Sequence, residues 1–259
     1  VSSWLDRHGP IPEPPPTSKE PGDYSWYDMS TAWRSIVLIG VASVIPEHHD
    51  ANVWLRPALA SHLNALMDER FYAGIGNHAL HQNNALLSLG LLLEDERATT
   101  LALERYASLL SISVDEEGVA LEGSPAYHLF NLIWWHEARQ RLEIARQIRP
   151  DITVPDVPSM NPFLRDSIAP DGKFVLVGDT TLSQKPLLTV MGDKYPKQFM
   201  EQLAQDPEVQ YVLTMGREGM QPERHTSCYK DGFWFSRSTW STPFHDQSMV
   251  SVRFGVGMK

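Results

Sequence analysis

The stretch GNHALHQNNALLSLGLLL, residues 76–93, decides the fold. It begins with imidazole and amide side chains and continues into leucines at helical spacing, which predicts a helix over 77–93. On that helix His78, His81 and Gln82 share one face, while leucines occupy the opposite face. The polar side chains are therefore expected at one end of a largely buried helix, where the rim of a cleft would lie.

Two other interpretations of this polar cluster remain open. Asn77 is a natural N-cap residue, and histidines with internal hydrogen bonds are common near helix starts. His78 and His81 could also share a cation, but HEARQ at 136–140 lacks the second histidine of the zinc peptidase motif. With Cys228 as the single cysteine, we expect neither a disulfide nor a zinc site within this chain, and no cofactor.

Further helices are predicted on both sides of this stretch. Each segment carries apolar residues three or four positions apart, and the predicted ranges are 29–45, 51–69, 95–112, 125–147 and 195–205. Antiparallel helix pairs joined by short loops are the natural packing of such segments.

The pattern changes after Pro150. Residues 171–177 predict a turn and a short strand over 174–177, and apolar and polar residues alternate from 229 onward as in β-strands. A sheet of so few strands would be marginal alone, so we expect a β domain that is truncated at residue 259.

The bulk composition excludes some functions. The 259 residues carry a formal net charge of −10 and contain no block of basic residues, which argues against nucleic acid as a partner. No apolar run reaches the length of a membrane span. The first residues are polar and proline-rich and do not resemble a signal peptide, although a leader could have been removed. We expect a soluble protein; a periplasmic or secreted location in a bacterium is considered, and the oligomeric state is open.

A second stretch, DEEGVALEGSPAYHLF at 115–130, also concentrates polar groups. A glycine-containing loop leads into Ser124 and Pro125, and Tyr127 and His128 fall in the first turn of the next helix. The positive potential at a helix start lowers the cost of a phenolate. The alternative is a core tyrosine with a satisfied hydroxyl. Ser124 is not expected to be a nucleophile, because the Gly-x-Ser-x-Gly elbow is missing.

The two stretches, in this order, resemble the heparinase II/III-like and alginate-lyase-like polysaccharide lyases. Those proteins carry an Asn-His pair at the start of one toroid helix and an E-x-SP-x-YH element at the start of a later one. PDGKFVLVGDT and GFWFSRSTW followed by SMVSVRFG resemble the segments in which that family passes into its β-sandwich. The chain departs from the pattern in having EEG at 116–118 where the family usually has an Asp-Gly turn. The histidines that the family supplies later, in its β-sandwich, are absent.

The resemblance implies a mainly α fold, an incomplete (α/α) toroid followed by the first strands of a truncated β-sandwich. The expected domains are an extended proline-rich arm over 1–24, the toroid over 25–165, a connecting segment over 166–222 and the start of the sandwich over 223–259.

The resemblance also implies a function, the cleavage of a uronate-containing polysaccharide by β-elimination. Asn77 would donate to the substrate carboxylate, and His78 and Tyr127 would act as base and acid, with Tyr127 serving as both in a syn elimination. The expected substrate contacts are His81, Gln82, Glu122 and His128. If the family draws a histidine or a metal-held loop from its β domain, this chain alone should be weakly active or inactive.

Three other classes of protein are alternatives to the lyase. A non-catalytic carbohydrate-binding toroid would use the same cleft, and the eight tryptophans suit it equally well. A helical scaffold protein would leave the histidines and Tyr127 in structural roles. A glycosidase would need two facing carboxyl groups, and Glu122 is the only acid between the loop turn and the Tyr127 helix.

Overall fold

A computed structural model describes residues 7, 11, 24–180, 187–189 and 197–255. The extended arm predicted over 1–24 lies outside the described residues except at positions 7, 11 and 24. The chain divides into two compact units, one made of Val1–Ser111 with His136–Asp156 and the other of Ile112–Trp135 with Val157–Lys259. The four domain ranges drawn from the sequence stay a prediction.

Helices form the first unit. A short 3-10 turn precedes them, and the helices are α1 (Asp28–Val44), α2 (Asn52–Met67), α3 (Gly76–Leu92), most of α4 (Glu96–Ser113) and the second half of α5 (Pro125–Ile148). The five helices predicted between residues 29 and 147 are confirmed, with ends that differ from the predicted ones by at most two residues.

Leucine burial explains the packing of the first unit. The leucines of α2, spaced three or four positions apart, are buried, with Leu55 and Leu66 at 0% exposure. Both α1 and α2 pack against α3, and α1 also packs against α2. Gly90 in α3 is required by close approach, since a Cβ there would lie 2.8 Å from Thr99 Oγ1 of α4. Most residues of α3 are buried by its neighbours, whereas its polar first turn is partly exposed and can contact a ligand.

The second unit combines the start of α5 with short helices and a sheet. The helices are α6 (Asn161–Asp166), α7 (Lys197–Leu203) and α8 (Pro207–Leu213), and the strands are β1 (Thr226–Tyr229), β2 (Phe233–Arg237) and β3 (Met249–Arg253). The strands form an antiparallel sheet in the order β1-β2-β3. Phe163 of α6 packs its ring against the aromatic residues of the sheet, Tyr229, Phe233 and Phe235.

In this unit one predicted strand is wrong and two helices were not predicted. The strand predicted over 174–177 is a single bridge between Phe174 and Ile168, because the chain turns away at Val177. Helices α6 and α8, each of two turns or less, were missed. For α8 a signal existed, since Asp206 accepts hydrogen bonds from two backbone amides of the first turn and Pro207 occupies the first helical position.

Candidate active site

Asn77 lies in the first turn of α3. The helix begins at Gly76, whose φ is +70°, and the capping position is Ile75, which offers no side-chain hydrogen bond. The N-cap interpretation of Asn77 is therefore wrong. Its side chain is half-buried, and its amide has no hydrogen-bond partner among the residues that the structure describes. Such an amide can donate to a ligand without giving up an internal bond.

His78 is anchored by a buried carboxylate. Its Nδ1 lies 3.0 and 3.1 Å from the two oxygens of Asp28, whose side chain is 1% exposed. Tyr27 Oη lies 3.5 Å from the same nitrogen. Within the described part of the chain, His78 Nε2 has no hydrogen-bond partner, and the side chain is 30% exposed. Nδ1 is thus held by Asp28, and Nε2 is available to a ligand.

His81 follows one turn after His78 and lies beside an exposed indole. Its ring centroid is 5.8 Å from that of Trp33, which is 55% exposed. The pKa of His81 is lowered from 6.5 to about 4, mainly by burial and to a smaller extent by the charges of Arg141 and His78. His81 is therefore a neutral imidazole near pH 7, and it stays a proposed substrate contact. The exposed Trp33 beside it was not singled out from the sequence.

Gln82 has a different environment from the two histidines. It is fully buried; its Oε1 accepts from the Ala73 amide at 2.8 Å and its Nε2 donates to the Phe71 carbonyl at 2.8 Å. These bonds tie the loop before α3 to the helix. We therefore reassign Gln82 from substrate binding to the support of the loop that leads to Asn77.

Tyr127 lies in the first turn of α5, in the second unit. Ser124 precedes the helix, and its Oγ accepts from the Tyr127 amide at 3.3 Å and from Thr180 Oγ1 at 3.4 Å. The Tyr127 side chain is 39% exposed, and its hydroxyl has no hydrogen-bond partner in the described ranges. The alternative of a core tyrosine with a satisfied hydroxyl does not hold.

The loop before Tyr127 is held in place by a glycine turn. Gly178 has a φ of +60°, and a Cβ there would lie 2.3 Å from the Gly123 carbonyl oxygen. Only glycine allows the turn formed by residues 178–180 (GDT) to approach the loop before Tyr127 this closely. The GDT segment that the sequence singled out therefore supports the residues that precede Tyr127.

Glu122 is also oriented within this unit. Its Oε1 accepts from Asn131 Nδ2 at 2.7 Å, and the same amide nitrogen donates to the Tyr127 carbonyl at 3.0 Å. Glu122 is exposed, so its second oxygen can meet a ligand. Asn131 was missed by sequence reasoning, although its position four residues after Tyr127 places it on the same helix face.

His128 has no free nitrogen. It is fully buried; Nδ1 accepts from the Ala120 amide at 3.2 Å, and Nε2 donates to the Met160 carbonyl at 2.8 Å. Burial lowers its pKa to about 4. We therefore reassign His128 from substrate binding to the attachment of the 115–124 loop to α5.

The buried histidines predict an acid-sensitive fold. His62 and His128 are both fully buried, and burial lowers the pKa of each from 6.5 to about 4. Between these two pKa values the unfolded chain binds protons that the folded chain does not bind. The contribution of each neutral histidine to the free energy of unfolding is therefore fully present above about pH 6.5 and decreases as the pH falls below that value. Each histidine should contribute a slope of about 1.4 kcal/mol per pH unit.

Denaturant unfolding measured at successive pH values between about 6.5 and 5 tests this slope. His62→Gln and His128→Gln should each make the profile shallower by about one proton, whatever their effect at pH 7. A profile that is flat in this interval, or unchanged in both variants, would contradict the expectation.

The described ranges contain neither a metal-binding cluster nor a membrane-spanning helix. Within them, no group of three or more His, Cys, Asp or Glu side chains could hold a metal ion. No helix there is long and apolar enough to cross a membrane.

No protein-family model and no curated protein matches the sequence. Solved structures do match. A heparan sulfate lyase mutant of Pedobacter heparinus has a TM-score of 0.71 at 18% identity, and the match covers 97% of this chain and 39% of that one. A structure of heparinase III has a TM-score of 0.67 at 18% identity, covering 97% of this chain and 40% of that one. Another, a heparinase III gene product, has a TM-score of 0.63 at 17% identity, with 91% and 37% covered.

These likenesses establish the fold. The chain is mainly helical, of the helical toroid type found in the heparinases, with a small antiparallel sheet near its C-terminal end, as the sequence predicted. The chain spans about two fifths of the length of the lyases that it matches.

Proposed function

We propose that the protein is a polysaccharide lyase that cleaves a uronate-containing polysaccharide by β-elimination. The observation that carries the proposal is Tyr127, an exposed phenol in the first turn of a long helix whose hydroxyl makes no hydrogen bond to the described residues. A hydroxyl without an internal role is free to transfer a proton. Likeness to heparinase and heparan sulfate lyase structures supports the same reaction class.

The reaction sets three chemical demands. The proton on C5 lies next to a carboxylate, and an ionised carboxylate makes that proton weakly acidic. A hydrogen-bond donor must therefore stabilise the charge that develops on the carboxylate in the transition state. A base must take the C5 proton, and an acid must protonate the glycosidic oxygen as the bond from C4 breaks.

We assign these roles to three side chains. The unpartnered amide of Asn77 donates to the carboxylate. Nε2 of His78 takes the C5 proton, and the electron pair of that C–H bond forms the C4–C5 double bond. The C4–O bond breaks toward the glycosidic oxygen, which receives the Tyr127 hydroxyl proton. His78 is left as the imidazolium and Tyr127 as the phenolate, and transfer of one proton from the former to the latter through solvent restores both side chains. The sum is one unsaturated uronate end and one new hydroxyl end, with no water consumed.

The substrate contacts follow from exposure. The apolar face of a sugar ring can stack on the exposed indole of Trp33 beside His81. Glu122, held by Asn131, can accept hydrogen bonds from sugar hydroxyls. We propose an anionic polysaccharide or oligosaccharide as the substrate, and neither nucleic acid nor a membrane as a partner.

The test is a panel of uronate polymers incubated with the chain, with ultraviolet absorbance of the new conjugated double bond as the readout. We expect a rise in absorbance, slow for this chain alone, with at least one polymer. Binding of a polymer, detected calorimetrically, without any absorbance change would instead identify a non-catalytic carbohydrate-binding protein. Chain shortening without the double bond would identify a hydrolase.

A further inference from the structure

Asp28 is a buried carboxylate whose position needs an explanation. It is the first residue of α1, is 0% exposed, and accepts a hydrogen bond from the Met29 amide at 2.5 Å through Oδ1. Burying a carboxylate is costly unless it is paired and hydrogen-bonded. Here the positive end of α1 and the Nδ1–H group of His78 supply that compensation.

The hydrogen-bond chemistry then fixes the histidine tautomer. An ionised carboxylate can only accept hydrogen bonds, so Nδ1 of His78 must be the donor. In a neutral imidazole one nitrogen carries the proton and the other carries the lone pair. With Nδ1 protonated, Nε2 is the nitrogen that can accept a proton.

Other histidines in the chain show what a structural role looks like. His62 accepts from Arg34 at 2.8 Å through Nε2 and contacts the Ala58 carbonyl at 2.7 Å through Nδ1. His128 likewise uses both nitrogens internally. His78 differs, because it is partly exposed, is bonded to a carboxylate and has an Nε2 without a partner among the described residues.

We propose that Asp28 is a positioning residue that holds His78 in the Nδ1–H tautomer and so makes Nε2 the proton acceptor. The catalytic consequence rests on the proposed lyase function; the tautomer itself does not. No sequence motif links the two residues, which are fifty positions apart and are brought together by the packing of α1 on α3.

Asp28→Asn is the decisive substitution because its geometry is predictable. The Met29 amide donates to Oδ1 in the native protein, so it should keep the amide oxygen of the new side chain in that place. The amide nitrogen then takes the position of Oδ2, 3.1 Å from Nδ1 of His78. An amide N–H there can donate to Nδ1 of the Nε2–H tautomer, whereas the Nδ1–H tautomer keeps only a neutral acceptor, the amide oxygen 3.0 Å away, in place of the carboxylate. The preference for the Nδ1–H tautomer should therefore be lost.

Nitrogen NMR of the imidazole, recorded at high pH where the ring is neutral, distinguishes the two tautomers. We expect the Nδ1–H form in the native chain and a clear rise of the Nε2–H form in Asp28→Asn. Tyr27→Phe is the matched comparison, since it removes the other oxygen near Nδ1, and we expect it to keep the native tautomer. On a cleaved polymer, Asp28→Asn should lower kcat at least about tenfold with little change in KM.

Three results would overturn the inference: an Nε2–H tautomer in the native chain, an unchanged tautomer in Asp28→Asn, or a switch caused by Tyr27→Phe. If Asp28→Asn fails to fold, the native spectrum and that of Tyr27→Phe still decide. The spectra report on Asp28 whether or not a polymer is cleaved, so failure of the lyase proposal is a separate outcome in the absorbance assay.

Discussion

Tyr127→Phe should abolish most of the turnover while leaving the protein folded. The substitution removes one exposed oxygen that makes no hydrogen bond to the described residues, so the free energy of unfolding should change little. If the phenol protonates the leaving oxygen, kcat should fall by about 10²–10⁴-fold, the loss typical of a missing general acid. Initial rates of ultraviolet absorbance and a thermal melt on the same preparation measure both quantities.

A matched control comes from a tyrosine in the same unit. Tyr211 is buried, and its hydroxyl donates to the Trp240 carbonyl at 2.8 Å. Tyr211→Phe removes the same atom and should cost about 0.5–1.5 kcal/mol of stability without a specific loss of kcat. The two variants therefore predict opposite patterns. A fully active Tyr127→Phe protein would exclude the assigned acid and leave the fold untouched.

The second large effect is expected from Asn77→Ala. Loss of the donor to the substrate carboxylate should lower kcat by about 10²–10³-fold, as for other donors that act on developing charge. Since Asn77 is not the helix cap and its amide has no partner among the described residues, the stability of α3 should change little. Asn77→Asp should be at least as inactive, because a carboxylate cannot donate and repels the substrate.

Asn52→Ala provides the control for Asn77→Ala. The Asn52 amide donates to the Pro46 and Glu47 carbonyls at 3.0 and 2.8 Å, so its loss should reduce stability and spare kcat. Equal activity losses in the two variants would indicate a general effect on folding. A selective loss in Asn77→Ala, seen in kcat rather than in KM alone, is the expected result.

The helical part of the fold was readable from the sequence because its signals are local. The leucine stripe of α2 and the proline at the start of α5 mark helices by spacing and by backbone chemistry alone. The strand expected at 174–177 did not form, because strand formation depends on a pairing partner that is distant in sequence and leaves no local signal.

The candidate site was readable only in part. Helical periodicity placed His78 and Gln82 on a common face but could not tell that Gln82 is fully buried and tied to the preceding loop. It also could not find Asp28, because the contact with His78 arises from the packing of two helices. Residue type and spacing thus nominate a cluster, and burial and hydrogen bonds decide which members face a ligand.

Digestion of a cleaved uronate polymer in water enriched in heavy oxygen, followed by mass spectrometry of the ends, tests the central claim most directly. β-Elimination breaks the C4–O bond without adding water. We therefore predict products that carry a C4–C5 double bond and no heavy oxygen, and we predict that Tyr127→Phe forms them far more slowly. Incorporation of heavy oxygen at the new ends, with no double bond, would contradict the lyase assignment.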